Sequence, residues 1–189
     1  MEKVNPNTSY EIRQHLLKMG YGAIDNYITP ALTSMLIGER AATGQKVRMF
    51  VNARTQDMPI TPHSHRFDLA CLVVNGWVNN SIYQRRGLPS IHSDSFTVSQ
   101  LTYGGKAGCY EKARVEEAYF ARNTAKYVAG QWYFMKDTDI HSIEFSKDAM
   151  VLVFEGPTVG TDTTILEPYV NGETISTFKV EDWMFKEAA

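Results

Sequence analysis

From residue 46 onward the chain breaks into short segments rich in Val, Ile, Phe, Tyr and Thr, each bounded by Gly, Pro, Asn or Asp. They fall at 46–53, 67–76, 77–83, 96–105, 116–121, 125–135, 139–145 and 149–157. β-Branched and aromatic residues fit a pleated, half-buried surface, and the bounding residues supply turns. Strands at this spacing disfavour βαβ units and predict an all-β sandwich, jelly roll or small barrel. The tail continues the pattern. In ILEPYVNGETISTF the Asn171-Gly172 pair is a strong hairpin signal, and VEDWMF (180–185) is expected to pack a last turn or edge on the barrel.

Helical signals are confined to the first third. Thr8-Ser9-Tyr10-Glu11 has the spacing of a capping box, Ile12, Leu16, Leu17 and Met19 follow at helical spacing, and Gly20 supplies a stop. A helix over 9–19 is predicted. Thr29-Pro30 reads as an N-cap with proline at the first helical position, continued by Ala31, Leu32, Met35, Leu36 and Ile37 until Gly38. That predicts a second helix over 29–37. With no repeat or linker, residues 1–189 make one domain: an N-terminal helical segment to about 45, a barrel over 46–157, and a C-terminal hairpin and tail over 158–189.

A net charge of −2 with no Lys/Arg run longer than two argues against nucleic-acid binding. No apolar stretch reaches bilayer-spanning length, and MEKVNPNTSY lacks the layout of a secretory signal. The two cysteines, Cys71 and Cys109, are too few for a disulfide framework. A cytoplasmic protein without membrane contact is expected.

The chemistry rests on two histidine signals, His63-Ser64-His65 and His141. A strand sends alternate side chains to one face, so His63 and His65 can converge while Ser64 turns away. A third imidazole from a distant strand completes three neutral nitrogen ligands, a set suited to Fe, Zn, Cu or Ni. The bland alternative is that the pair hydrogen-bonds to loops at a strand end. Glycines stand at fixed offsets: Gly76 lies eleven residues after His65, and Gly130 eleven before His141.

These offsets resemble the two halves of the cupin signature, a His-x-His followed by an acidic position and a glycine, then a glycine followed by one histidine. The resemblance covers about 46–157. It implies a double-stranded β-helix with a divalent metal held inside by His63, His65 and His141. Departures are plain: Asp57 stands where a glycine is expected, Leu69 replaces the acidic ligand, and Lys136, Thr138 and Phe145 replace proline, glycine and asparagine. Asp68 lies one residue from the acidic slot, and a regular strand aims it the other way. It is expected to pair with Arg66 or to hydrogen-bond a ligand imidazole from outside.

A cupin without the carboxylate is most similar to the thiol dioxygenases, whose type member is cysteine dioxygenase. That likeness implies Fe(II), with Zn, Ni, Cu or Mn as alternatives, and an oxygenase acting on a small molecule, a thiol acid first. Here too the chain departs. Thr158 stands at the family tyrosine, Cys71 is one residue off the family cysteine, and Arg40 has a spacing comparable to the substrate-carboxylate arginine. Arg48 and Arg54 share a strand face with Phe50 and Asn52; solvent exposure is expected, with reach into the pocket the alternative. Arg40, Arg48 and Tyr83 are the candidate substrate contacts, and no catalytic residue is assigned. Tyr83, Tyr103, Trp132, Phe134 and Met135 are expected in the core or barrel lining, Cys71 as a small buried hydrophobe, and His15 and His92 at the surface. A non-catalytic module, with or without metal, and a metal-assisted isomerase or hydrolase remain open. No phosphate loop, nucleophile elbow or Cys-x-x-Cys pair appears. A homodimer is implied by resemblance alone.

Overall fold

The computed structural model describes residues 8–25, 27, 29, 32–54, 59–103 and 110–175. Helix α1 (Thr8–Lys18) precedes β1 (Ala23–Asp25), β2 (Leu32–Arg40), β3 (Gln45–Asn52), β4 (Leu69–Asn75), β5 (Trp77–Arg86) and β6 (Asp94–Tyr103). Then come β7 (Tyr110–Val128), β8 (Trp132–Met135), β9 (Ile140–Phe145), β10 (Met150–Glu155), β11 (Asp162–Val170) and β12 (Glu173–Thr174). They form two six-stranded sheets, ordered β1-β2-β3-β10-β4-β8 and β12-β11-β6-β7-β5-β9.

The order encodes a wound hairpin. Walking forward from β3, the chain pairs with partners met in reverse: β3 with β10, His63 with His141 of β9, β4 with β8, and β5 with β7, all antiparallel. Successive rungs alternate between the two sheets. This is the double-stranded β-helix, the jelly roll of cupin-type folds. His63 also bridges Ile165 of β11, which closes the second sheet on itself.

The glycines of the two histidine signals have a backbone reason. Gly76 turns β4 into β5 at φ 71°, and a Cβ there would meet the Ala149 Cα at 3.1 Å. Gly130 turns into β8 at φ 87°. Both lie in the left-handed region that favours glycine.

Between the sheets lies a core of Leu32, Val73, Val78, Tyr133, Phe145 and Val151. A second cluster of Tyr83, Phe96, Val98, Phe120 and Leu166 fills the closed part of the second sheet. Ile12, Leu16 and Leu17 of α1 pack on Met35, Met49, Val51 and Met150, covering one half of the first sheet. Arg13 anchors the helix by donating to both carboxylate oxygens of Asp25, at 2.6 and 2.7 Å. Among the described residues no helix is long and apolar enough to cross a membrane.

The structure corrects several expectations. The second helix over 29–37 is strand β2. Leu32 joins the core between the sheets while Met35 packs under α1. A strand apolar on both faces carries no clean alternation, so its apolar residues imitate helical spacing. The expected boundary near residue 45 therefore falls inside the first sheet. The segments at 116–121 and 125–135 are β7, which runs unbroken for 19 residues, and β8. Trp132 and Phe134 are exposed, 46% and 72% respectively, because β8 is an edge strand turning them outward. The hairpin at Asn171-Gly172 forms, joining β11 to β12 with φ 51° and 86°. Cys71 is buried, and His15 and His92 are exposed. Asp57, Cys109, Pro30, Ala31 and the VEDWMF segment lie outside the described residues.

Candidate metal centre

His63 is placed by backbone pairing. It exchanges both N–H···O bonds with His141, each 2.9 Å, so the two side chains leave the same face side by side. Alternation turns Ser64 the other way, where it exchanges backbone bonds with β11: its N–H donates to the Thr164 carbonyl, and its Oγ accepts from the Thr164 N–H, both at 2.8 Å. Alternation then returns His65 to the face of His63. The three ring centroids lie 4.8, 5.0 and 5.1 Å apart. One donor nitrogen from each ring falls within 4.8 Å of the others, and among the described residues this is the one cluster of three such donors.

Hydrogen bonds set the tautomers. His63 Nδ1 lies 2.8 Å from the Thr61 carbonyl, which can only accept, so this nitrogen carries the proton. His141 Nδ1 lies 2.8 Å from Asn80 Oδ1 and donates likewise. In both rings Nε2 is left as the nitrogen with the lone pair, the arrangement a metal-binding imidazole needs. The Nε2 atoms of His65 and His141 are 2.9 Å apart. Two nitrogens bound at right angles to one ion, each about 2.1 Å from it, sit about 3 Å apart. The donor set thus fits a divalent transition metal on three neutral nitrogens.

Electrostatics agree. His63 and His141 are 3% exposed, and burial pushes all three imidazoles below the ordinary histidine value. Neighbouring imidazoles add to the depression at His65 and His141. All three stay neutral, and a neutral ring is the ligating form. Phe67 stacks on His65 with centroids 5.8 Å apart and planes at 23°.

Beside the rings lies a cavity of about 280 Å³. Its walls carry Tyr27, Phe50, Phe67, Tyr103, Tyr133 and Phe145, with Arg48 and Glu155 paired at 2.8 Å and largely buried. Arg48 thus reaches the pocket rather than solvent, while Arg54 is exposed. Arg40 is the exposed last residue of β2, where its carbonyl accepts from Thr43 and Gly44 of the following turn, and it is not part of the cavity wall. Tyr83 belongs to the second core cluster and hydrogen-bonds Ser142 at 3.2 Å; since His141 faces the cluster of rings, its neighbour Ser142 faces away. Asp68 neither pairs with Arg66 nor reaches an imidazole. It points outward, pairing with Lys136 Nζ at 2.7 Å and accepting the Asp137 N–H at 3.0 Å, while Arg66 lies over the Tyr103 ring at 4.3 Å. Leu69 takes the inward position and is buried.

Cys71 and Tyr133 also face the cavity as a cross-strand pair. Burial pushes the Cys71 thiol up to about 12, outweighing its hydrogen bond with Tyr133, so no thiolate forms there at neutral pH. Burial likewise drives the Tyr133 phenol upward. Sequence reasoning missed Asn80. Its one signal is a polar residue in the inward row Val78–Asn80–Ile82, whose neighbours are apolar.

The fold and centre together define a cupin-type double-stranded β-helix with a three-histidine cluster, two of its rings buried and one half-buried. No family model matches the chain, and no curated protein matches it in sequence. Solved structures are similar in fold. Hydroxypropylphosphonic acid epoxidase from S. wedmorenis shares 8% identity over 71% of this chain and 55% of its own, with a TM-score of 0.42. A hydroquinone 1,2-dioxygenase bound to Cd2+ and 4-hydroxybenzonitrile shares 11% over 84% of this chain and 80% of its own, also at 0.42. Drosophila melanogaster CENP-C, bound to CAL1, shares 13% over 79% of this chain and 97% of its own, at 0.40. This chain spans little more than half of the epoxidase.

Proposed function

We propose that this chain is a mononuclear metal protein that uses Fe(II) to insert oxygen from dioxygen into a small organic molecule, with His63, His65 and His141 as ligands. The observation that carries this reading is the convergence of three imidazoles, two buried and one half-buried, with the Nδ1–H groups of His63 and His141 donating to the Thr61 carbonyl and Asn80 Oδ1. When bound, such an ion supplies redox and Lewis-acid chemistry at positions the protein leaves open. The chain's own residues do the rest. Thr61 and Asn80 fix ring orientation, Leu69 keeps a carboxylate out of the ligand set, and aromatic side chains line the cavity beside the rings.

A second reading, metal-assisted isomerisation or hydrolysis, finds no free base among the described residues that line the cavity. Cys71 and Tyr133 are held protonated by burial, and Glu155 is tied to Arg48. The thiol-acid substrate has little local support: Arg40 stands outside the cavity wall and Thr158 supplies no phenol. Elemental analysis of purified protein, then oxygen uptake after reconstitution with Fe(II), Zn(II), Ni(II), Cu(II) or Mn(II), tests the proposal. Near-stoichiometric metal, lost in His141→Ala, is expected. Turnover without oxygen would favour the second reading. Metal binding without turnover on a broad panel would leave a non-catalytic module.

A further inference from the structure

The walls of the cavity carry more than rings. Lys46, Arg48 and Arg66 line it against one carboxylate, Glu155. Arg48 is matched: its Nε donates to Glu155 Oε1 at 2.8 Å and its Nη1 to Ser34 Oγ at 3.4 Å. Lys46 and Arg66 form no ion pair among the described residues. Among the described residues these two lining cations have no carboxylate partner, and a divalent ion held by the histidines would add further positive charge. A partly open pocket whose half-buried walls carry more cations than carboxylates draws in an anion, because walls of one sign of charge focus the field on the space between them.

Shape narrows the choice. Six aromatic side chains border a space of about 280 Å³, at the small end for ligand pockets, which run about 300–1,000 Å³. That suits a single flat ring rather than a chain or a fused system. Arg48 offers its Nη2 edge, to which none of the described residues is bonded. A guanidinium edge matches the planar fork of a carboxylate. β3 sets these groups out in order: Lys46, Arg48 and Phe50 alternate onto its inward face, running from the sheet end into the interior.

We infer that the substrate is a small aromatic carboxylate, its ring among Phe50, Phe67 and Tyr27 and its carboxylate on Arg48, with Lys46 and Arg66 completing the charge balance. This rests on the metal reading above for its chemistry, but its recognition groups are separate from the histidines. Glu155 competes for Arg48, so it sets affinity: the incoming carboxylate takes over a guanidinium edge beside it.

Calorimetric titration of benzoate, benzamide and acetate into the protein, with metal content measured on every sample, provides the test. Benzoate is expected to bind at least tenfold more tightly than the neutral benzamide and the ringless acetate. Arg48→Gln and Lys46→Gln should each weaken benzoate about tenfold with metal content unchanged, and Glu155→Gln should tighten it. Lys46 stands at the start of its strand, so its variant reports even if the Arg48 variant misfolds. Equal binding of benzoate and benzamide, or benzoate binding unchanged in Lys46→Gln with the metal in place, overturns the inference. Benzoate held in an Arg48-dependent way by metal-free protein would retain the inference and remove the metal reading instead.

Discussion

Asn80 shows how much one side chain decides at this centre. Its Oδ1 holds the proton side of His141, and its Nδ2 reaches Met135 Sδ at 3.5 Å, so the amide is pinned at both ends in a buried site. Asn80→Leu removes the acceptor while keeping the volume. The imidazole then gains no partner for Nδ1–H and loses its orientation. Metal affinity should fall about 10–100-fold, measured by competition with a chromophoric chelator, while the secondary-structure signal stays unchanged. Unaltered affinity would show that Asn80 only fills space. The three histidines were legible because alternation fixes their direction and each signal carries a turn glycine. Asn80 was not, since which polar residue in an inward row meets an imidazole depends on register across β5 and β9. That Arg40 lies outside the cavity wall was illegible for a related reason: spacing along the chain does not tell where a strand end sits relative to a cavity.

Elements carry the next layer. Gly76 sits where β4 crosses to β5, its φ is positive, and Ser146 Oγ and the Ala149 backbone crowd the missing side chain. Gly76→Ala should destabilise the fold by about 1–3 kcal/mol, read as a lower melting temperature, whereas the same change at Gly22, with open space around it, should be near neutral. Helix α1 adds a pH signature. The Arg13 hydrogen bond, helped by Thr33, holds the Asp25 carboxyl below its usual 3.8. A depressed carboxylate stabilises the folded chain above its unfolded value, and that contribution is lost as the pH falls through the folded one. Acid melts should therefore steepen below about pH 4, and Arg13→Ala should flatten that limb. An identical profile in the variant would detach the helix from this pair. The alternation-based strands and the Asn-Gly hairpin could be read from sequence. Strand β2 could not, because its two faces meet different apolar partners and the periodic signal cancels.

At the scale of the molecule, α1 covers β2, β3 and the start of β10 on one face of the first sheet. The other half presents Trp132 stacked with Phe134, centroids 6.2 Å apart, and with Phe154 at 5.7 Å. A homodimer, expected from the cupin resemblance, is proposed to use this face. Light scattering should give twice the chain mass, and Phe134→Ser should halve it without loss of metal. A wild-type chain that stays single at tens of micromolar ends the proposal.

The pairing of His63 with both His141 and Ile165 has a thermodynamic consequence. An ion gripped by His65 and His141 would tether positions 76 residues apart in the chain. Ties across spans that long remove much of the freedom of the unfolded coil, and binding to the native form alone adds its own mass-action stabilisation. If the ion binds, melting temperature should rise with its concentration, so that heat resistance becomes a gauge of how full the centre is.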